Sequence, residues 1–225
     1  MRLIRTSMMA NPVVLAARIE ALLKSRYRQV PSDDNEKIIN SVLRFWLQVQ
    51  EGKLSKDSLL QEVVEIIHRS LMFQEIAIAL KDPNDGLYRY QTFTGFTKDA
   101  IEDMRSLVYT DAEVRAFDRL PGIRVSKLIE FTISEAPLRA GEEAQFNRPI
   151  LAAMHREADD EFTFGDYMNI YIRGRDDELL GFIEVSGPRD GKLPSGNSMK
   201  GLELIAIMTG NALQCLRGRE KIRRA

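Results

Sequence analysis

The sequence has few side chains that could carry out nucleophilic or redox chemistry. His68 and His155 are its two histidines, and Cys215 is its single cysteine. A serine or cysteine nucleophile needs a histidine held beside it, whereas His68 falls in an apolar run that predicts a core helix. One cysteine also excludes an internal disulfide, a site of several thiolates and a dithiol redox pair. We therefore expect a protein that is not an enzyme.

Two acidic runs and one glycine-containing loop are the remaining candidates for binding chemistry. Carboxylates at 159–161 and 176–178 could provide oxygen ligands for a hard cation. Neither run has the spacing of a calcium-binding loop, and solvated loop charges are the simpler interpretation, so we predict no metal site. The segment 187–191 predicts a turn, because no phosphate-binding glycine motif follows a strand and opens a helix there.

Charge and composition describe a soluble globular protein. The 225 residues include 32 Lys and Arg against 33 Asp and Glu, a formal net charge of -1, and 44% are hydrophobic. This composition is too apolar for a disordered chain, and its charge argues against a protein whose whole surface coats nucleic acid or a membrane. The lack of a long apolar run and the single cysteine favour a soluble protein in the cytoplasm.

Basic residues concentrate at the two ends of the chain. The segments 1–30 and 217–225 are basic, whereas the part between them is acidic. If the first and last helices are neighbours, the two ends form a candidate surface for an acidic protein, nucleic acid or a membrane surface. Solvated helix ends are the alternative interpretation.

Three helices are predicted before the first strand. Caps, Pro12 and apolar residues at three-to-four-residue spacing place them at about 12–28, 33–50 and 55–72. The third is too apolar to stand free and must pack on something large. We interpret residues 1–53 as a helical N-terminal extension.

From Glu75 onward the apolar period changes to two, which predicts strands. The expected order is strands at 75–81 and 87–94 around a turn at 83–86, a helix at 98–107, a strand within 123–133, a long excursion at 134–164 with a helix at 147–158, strands at 166–173 and 179–187, and a final helix from 199 to about 217. This order predicts a single α+β domain with an antiparallel sheet.

The last part of this order resembles the C-terminal half of a GAF domain. There, a strand of the type Gly181-Phe182-Ile183-Glu184-Val185 precedes a polar loop, and a helix of the type Leu202-Glu203-Leu204-Ile205-Ala206 follows. The resemblance covers about 54–217 and leaves 218–225 as a basic tail. It implies a six-stranded antiparallel sheet with the terminal helices on one face and a loop-covered pocket for a small molecule on the other.

Alternation along the strands agrees with a pocket on one face. Small, polar and aromatic side chains alternate with uniformly apolar ones, as a ligand site requires, although a solvent-facing sheet would show the same alternation. The predicted ligand-binding residues are Ala77, Ala79, Phe131, His155, Tyr167, Asn169, Tyr171, Phe182, Glu184 and Ser186.

The resemblance also suggests cofactors and an assembly. Some GAF domains hold haem through a histidine in the covering region, the position of His155, whereas a bilin-attaching cysteine and the cyclic-nucleotide pattern are missing. The sequence does not identify the ligand. GAF domains commonly dimerise through terminal helices, and Phe45, Trp46 and Val49 offer an apolar surface for a homodimer, unless the extension folds back on its own domain.

These patterns together predict a small-molecule sensor in signal transduction. Ligand binding would order residues 134–164 and shift the helices near 55–72 and 198–217, which would pass the signal to a partner in trans. The alternative is a dimeric scaffold or transcription-linked protein with a vestigial pocket, whose basic helical ends bind protein or nucleic acid.

Overall fold

The computed structural model describes residues 12–28, 35–51, 54–116, 122–134 and 156–224. Within them, the helices are α1 (Pro12–Arg28), α2 (Asn35–Gln50), α3 (Lys56–Ser70), α4 (Lys98–Ser106), α5 (Asp111–Ala116) and α6 (Gly196–Arg224). The strands are β1 (Phe73–Lys81), β2 (Tyr88–Thr94), β3 (Val108–Tyr109), β4 (Gly122–Arg124), β5 (Ile129–Thr132), β6 (Tyr167–Arg173) and β7 (Leu179–Pro188).

The strands form one antiparallel sheet in the order β3-β2-β1-β7-β6-β5-β4. The described residues contain seven strands, whereas the resemblance implied six. β3 is two residues long and has no periodic signature. The segment predicted as one strand within 123–133 forms both β4 and β5, because Ser126 Oγ accepts hydrogen bonds from the backbone of Leu128 and Ile129 and makes a tight turn.

The two predicted hairpins are present. At the β1–β2 turn, Gly86 adopts φ +74°, a conformation that glycine reaches without steric cost, and Asp82 Oδ1 accepts from the Asn84 backbone at 2.8 Å. The β6–β7 connection contains a short 3-10 turn at Arg175–Asp177. Together these turns set the registers of β1 with β2 and of β6 with β7.

Helices α1, α2, α3 and α6 share one layer on the sheet. Ser55 caps α3 by accepting from the Ser58 backbone, and the apolar face of α3 packs on β1 while α6 packs on β6. α2 packs against both α3 and α6, and α1 packs against α6. The segment interpreted as an extension therefore shares its hydrophobic core with the sheet.

The last helix extends further in both directions than predicted. Ser195 Oγ accepts from the Ser198 backbone at 3.1 Å near its start, and the helix continues through Arg224, across residues interpreted as a basic tail. The helix predicted at 147–158 falls mostly on residues outside the described ones. No helix in the described ranges combines the length and apolarity needed to cross a bilayer.

Candidate functional site

Alternate residues of the same strands build two unlike faces. Towards the helices, the strands present a continuous apolar set that is almost wholly buried. On the opposite face they present small, aromatic and charged side chains, and α4 and the segment after it pack over part of this face. The second face is where a binding site can form, because only there do polar groups meet enclosed space.

An aromatic row crosses this face. Tyr90, Ala79, Phe182 and Tyr171 are cross-strand partners on β2, β1, β7 and β6. The Tyr90 ring meets the Phe182 ring edge to face, with centroids 5.7 Å apart and planes at 84°, and Tyr109 contacts both. Ala79 leaves room for these rings, so the row forms a rigid aromatic wall.

A glutamate row lies beside the aromatic row. Ala77, Glu184, Asn169 and Glu130 are cross-strand partners on β1, β7, β6 and β5. The Tyr90 hydroxyl donates to Glu184 Oε2 at 3.1 Å and joins the two rows. Burial is the main cause that raises the pKa of Tyr90 well above its ordinary value, with the Glu184 charge adding to it.

Asn169 is the least satisfied member of the glutamate row. Its residue surface is 4% exposed, and its Oδ1 accepts no hydrogen bond among the described residues. A buried polar atom without a partner costs about 1–3 kcal/mol. The neighbouring Glu130 is equally buried, but it accepts a hydrogen bond from the Tyr171 hydroxyl at 2.9 Å, and burial raises the pKa of its carboxyl group.

A third carboxylate, that of Glu75, lies near the start of β1. Glu75 pairs with Ser186 of β7, and the Ser186 hydroxyl donates to Glu75 Oε2 at 2.5 Å. This bond fixes the glutamate side chain across the two central strands. The carboxylates of Glu75 and Glu184 thus belong to the same face of adjacent strands.

A buried ion pair forms the edge of this region. Arg156 Nη2 lies 2.9 Å from Asp166 Oδ2, and the two side chains are 3% and 0% exposed. Asp166 also accepts from the backbone of Ser134 and Thr163, each at 2.9 Å. Burial raises the pKa of Asp166, and the Arg156 guanidinium and the backbone donors oppose that shift. The pair ties together the chain on either side of residues 135–155.

These parts enclose a cavity of about 710 Å³. That volume lies within the range of small-molecule sites, roughly 300–1,000 Å³. The cavity is lined by Gln74, Glu75, Tyr90, Gly95, Phe96, Ala100, Asp103, Met104, Leu107, Tyr109, Phe162, Thr163, Phe164, Gly165, Asp166, Tyr167, Asn169, Phe182, Glu184, Ser186, Gly187 and Pro188.

The structure brings half of the predicted ligand-binding residues to this cavity. They are Tyr167, Asn169, Phe182, Glu184 and Ser186. Ala77, Ala79 and Tyr171 lie on the same face, packed in the aromatic cluster beneath and beside the cavity. They pack against the residues that line the cavity and so support its wall.

One further predicted residue, Phe131, lies on the other face of the sheet. Phe131 pairs with Met168 and joins the core beneath the helices, so its neighbour Glu130 occupies the position that the prediction gave to Phe131. His155 lies outside the described residues.

Several lining residues were missed at the sequence level. Glu75 has the same strand parity as Ala77 and could have been found by extending that alternation. Tyr90 follows the alternation of Tyr88 on the next strand. The Arg156–Asp166 pair has no comparable signal, because its partners are separated by a loop and no spacing rule links them.

The described residues do not fit haem or a metal ion. Haem carries two propionates, which need cationic or donor partners, yet the described cavity lining contains no Lys, Arg or His. Nor do the described ranges contain a group of three or more His, Cys, Asp or Glu side chains that could hold a metal ion.

The other sequence-derived candidates have structural contacts. His68 Nδ1 donates to the Phe73 carbonyl at 2.9 Å, and its Nε2 accepts from Arg189 at 3.2 Å, which anchors the loop after β7. Of the basic residues at the chain ends, Arg26 pairs with Asp160 at 3.2 Å and Arg217 with Glu178 at 3.6 Å. Part of the positive charge at the two chain ends is therefore paired with acidic residues of the same chain.

The predicted dimer residues lie mostly inside the chain. Phe45 is fully buried and Val49 nearly so, while Trp46 packs partly against the same core. The exposed apolar residues of α2 are Ile39, Leu43 and Leu47, at 47%, 53% and 60% exposure. These three residues therefore form the most exposed apolar surface of α2.

Several solved structures with a similar fold are GAF domains. That of a protein described as a sensor histidine kinase, from Pseudomonas syringae pv. tomato, has a TM-score of 0.51 and 10% identity over 83% of this chain and 92% of its own. The GAF domain of Acinetobacter phosphoenolpyruvate-protein phosphotransferase has a TM-score of 0.51 and 12% identity over 82% of this chain and 97% of its own. The GAF domain of the Coxiella burnetii phosphoenolpyruvate-protein phosphotransferase (ptsP) has a TM-score of 0.50 and 16% identity over 84% of this chain and 99% of its own.

These likenesses confirm the predicted α+β, GAF-like fold. At such low identities they concern the fold alone. Comparison of the sequence with protein-family models gave no match, and comparison with curated protein sequences gave none either.

Proposed function

We propose that this chain, whose fold is that of a GAF domain, is a sensory domain that binds a small molecule and passes its occupancy to a partner protein. The observation that carries the proposal is the cavity of about 710 Å³ with the partly unsatisfied Asn169 side chain in its wall. A similar fold in a protein described as a sensor kinase supports the same role. A cytoplasmic, non-catalytic setting, as predicted from the sequence, is part of the proposal.

The central strands offer a direct route from the cavity to the helices. On β7, Glu184 lines the cavity while its neighbours Ile183 and Val185 belong to the core under the helices. α3 and α6 pack on this layer. A ligand that moves the strands by a fraction of an ångström therefore changes the packing of both helices. The predicted ordering of residues 134–164 lies mostly outside the described residues and stays a prediction.

Native mass spectrometry of the purified chain tests the binding step. We expect a small molecule to co-purify in a fixed stoichiometry. The Ala100→Phe variant places a ring at the cavity lining and should abolish this adduct. Ala112→Phe is the matched control, because Ala112 is exposed on α5 and does not line the cavity.

Hydrogen exchange tests the coupling step. Amides of α3 and α6 should exchange at different rates in the liganded and the ligand-free protein, whereas Ala100→Phe should give one rate in both samples. A loss of the adduct in both Ala100→Phe and Ala112→Phe would contradict the assignment of the cavity as the binding site. Unchanged exchange in α3 and α6 on binding would contradict the route to the helices.

We further propose that the chain forms a homodimer through the exposed apolar stripe of α2, Ile39, Leu43 and Leu47. These residues recur every four positions and so lie on one side of the helix. Leu43→Glu should yield a monomer in analytical ultracentrifugation, and Asn40→Glu, exposed on the same helix, should leave the dimer intact. A monomeric wild-type chain would refute the proposal.

A further inference from the structure

We propose that the cavity selects an organic cation, an amine or guanidine with a flat aromatic body, and rejects ligands that carry phosphate or carboxylate groups. This inference rests on the proposed function and narrows it to one class of ligand. It follows from the charge of the cavity, from one unsatisfied amide and from the aromatic wall.

The described cavity lining is acidic. It contains Glu75, Asp103, Asp166 and Glu184, and no Lys, Arg or His among the residues that the structure describes. Asp166 is paired with Arg156. Glu75 accepts from the Ser186 hydroxyl and forms no ion pair within the described ranges, so its charge remains available to a ligand. A negative cavity repels anions and concentrates cations.

The second observation is the amide of Asn169. Its Oδ1 is buried in the cavity wall without a hydrogen-bond donor among the described residues. In the glutamate row, Asn169 lies between Glu184 and Glu130, and carboxylate oxygens accept hydrogen bonds. Oδ1 itself is buried, so a ligand N–H group would satisfy it once the ligand displaces the side chains that cover it. Ammonium and guanidinium groups carry several such donors, which suits a wall of neighbouring acceptors.

The third observation is the aromatic wall. The rings of Tyr90, Phe182 and Tyr109 contact one another in tilted or edge arrangements. A cation over an aromatic face is stabilised by the ring quadrupole, more so where water is excluded. The same wall gives a flat aromatic body apolar area to bury. A metal ion would not use these rings, and the described residues offer no three-ligand group for one.

Isothermal titration calorimetry with tryptamine and indole-3-propionate tests this inference. The two probes share the ring and the two-carbon chain and differ in carrying an ammonium or a carboxylate group. Tryptamine should bind at least about tenfold more tightly, and Glu184→Gln and Glu75→Gln should each weaken it by about tenfold. Glu102→Gln, an exposed change on α4 that does not line the cavity, should leave the affinity unchanged.

The outcomes separate this inference from the proposed function. Equal affinity for both probes, preference for indole-3-propionate, or no binding of either probe overturns the selection of cations. If a neutral or anionic molecule nevertheless co-purifies with the wild-type chain, the sensory function stands without it. If nothing co-purifies and neither probe binds, both proposals fail. Urea denaturation of each glutamate variant checks that a lost affinity is not lost folding.

Discussion

On the helix-covered face, Ile78, Ile183 and Ile170 are cross-strand partners on β1, β7 and β6. One position along the same strands, on the opposite face, Ala77, Glu184 and Asn169 are partners in the glutamate row. The isoleucine row is wholly buried and contains no polar side chain. The glutamate row contains a carboxylate at the cavity and an amide without a hydrogen-bond donor for its oxygen.

The difference between the rows shows what folding alone explains. An isoleucine row stabilises the sheet through burial and dispersion. Buried carboxylates and an unsatisfied amide lower stability, so packing gives no reason for their presence. Departures of this kind concentrate at functional sites, and here they surround the cavity. The two rows can therefore be separated by experiment, one through stability and the other through binding.

The largest expected effect breaks a charged pair on the cavity side. Asp166→Ala leaves Arg156 buried without its carboxylate, and removal of one partner from a buried pair costs about 3–5 kcal/mol of unfolding free energy. Urea denaturation measures this loss. Asp159→Ala removes the exposed partner of Arg18, 3.7 Å away, and should cost less than about 1 kcal/mol. Equal losses in the two variants would contradict a structural role for the buried pair.

The next effect separates adjacent residues of β7. Ile183→Ala should cost about 2–5 kcal/mol, because it opens a void in the fully buried isoleucine row. Glu184→Gln should change stability by less than about 1 kcal/mol, since the amide keeps the acceptor for the Tyr90 hydroxyl. Urea titrations of both variants check the contrast, and a larger loss in Glu184→Gln would refute the division of roles between the faces.

Local patterns were sufficient for the strands that build the cavity. Alternation along β6 and β7 identified Asn169 and Glu184, because each strand shows a uniformly apolar set that fixes which residues face the core. The turn at 83–86 likewise fixed the first hairpin. Where every other residue is apolar, the sequence determines the face as well as the strand.

Tertiary packing decided the residues that the sequence misplaced. Phe131 is apolar and fits either face of β5, and only pairing with Met168 assigns it to the core. α2 is apolar on two sides, and its contacts with α3 and α6 bury Phe45 and Val49 rather than Leu43. β3 is too short for any period. In each case the deciding contact is distant in the sequence.

A smaller effect reverses the usual sign for a buried substitution. Asn169→Leu removes the oxygen that accepts no hydrogen bond and should raise the unfolding free energy by about 1 kcal/mol. Asn169→Asp should lower it, because it places another carboxylate beside Glu184 and Glu130. Urea denaturation of both variants tests the pair. A loss of stability in Asn169→Leu would show that the amide already has a stabilising partner.

The smallest effect concerns the pH dependence of stability through Glu130. Burial raises the pKa of this carboxyl group in the folded state above its unfolded value, so its contribution to stability is complete below the unfolded pKa, about 4.3. That contribution is lost as the pH rises through the folded pKa. Urea midpoints measured from about pH 4 to pH 7 should therefore fall less in Glu130→Gln than in the wild type. Glu102→Gln, exposed on α4, should retain the wild-type dependence. If stability falls with pH as steeply in Glu130→Gln as in the wild type, Glu130 has its ordinary pKa despite its burial. The glutamate row would then carry its charge without cost to the stability of the fold.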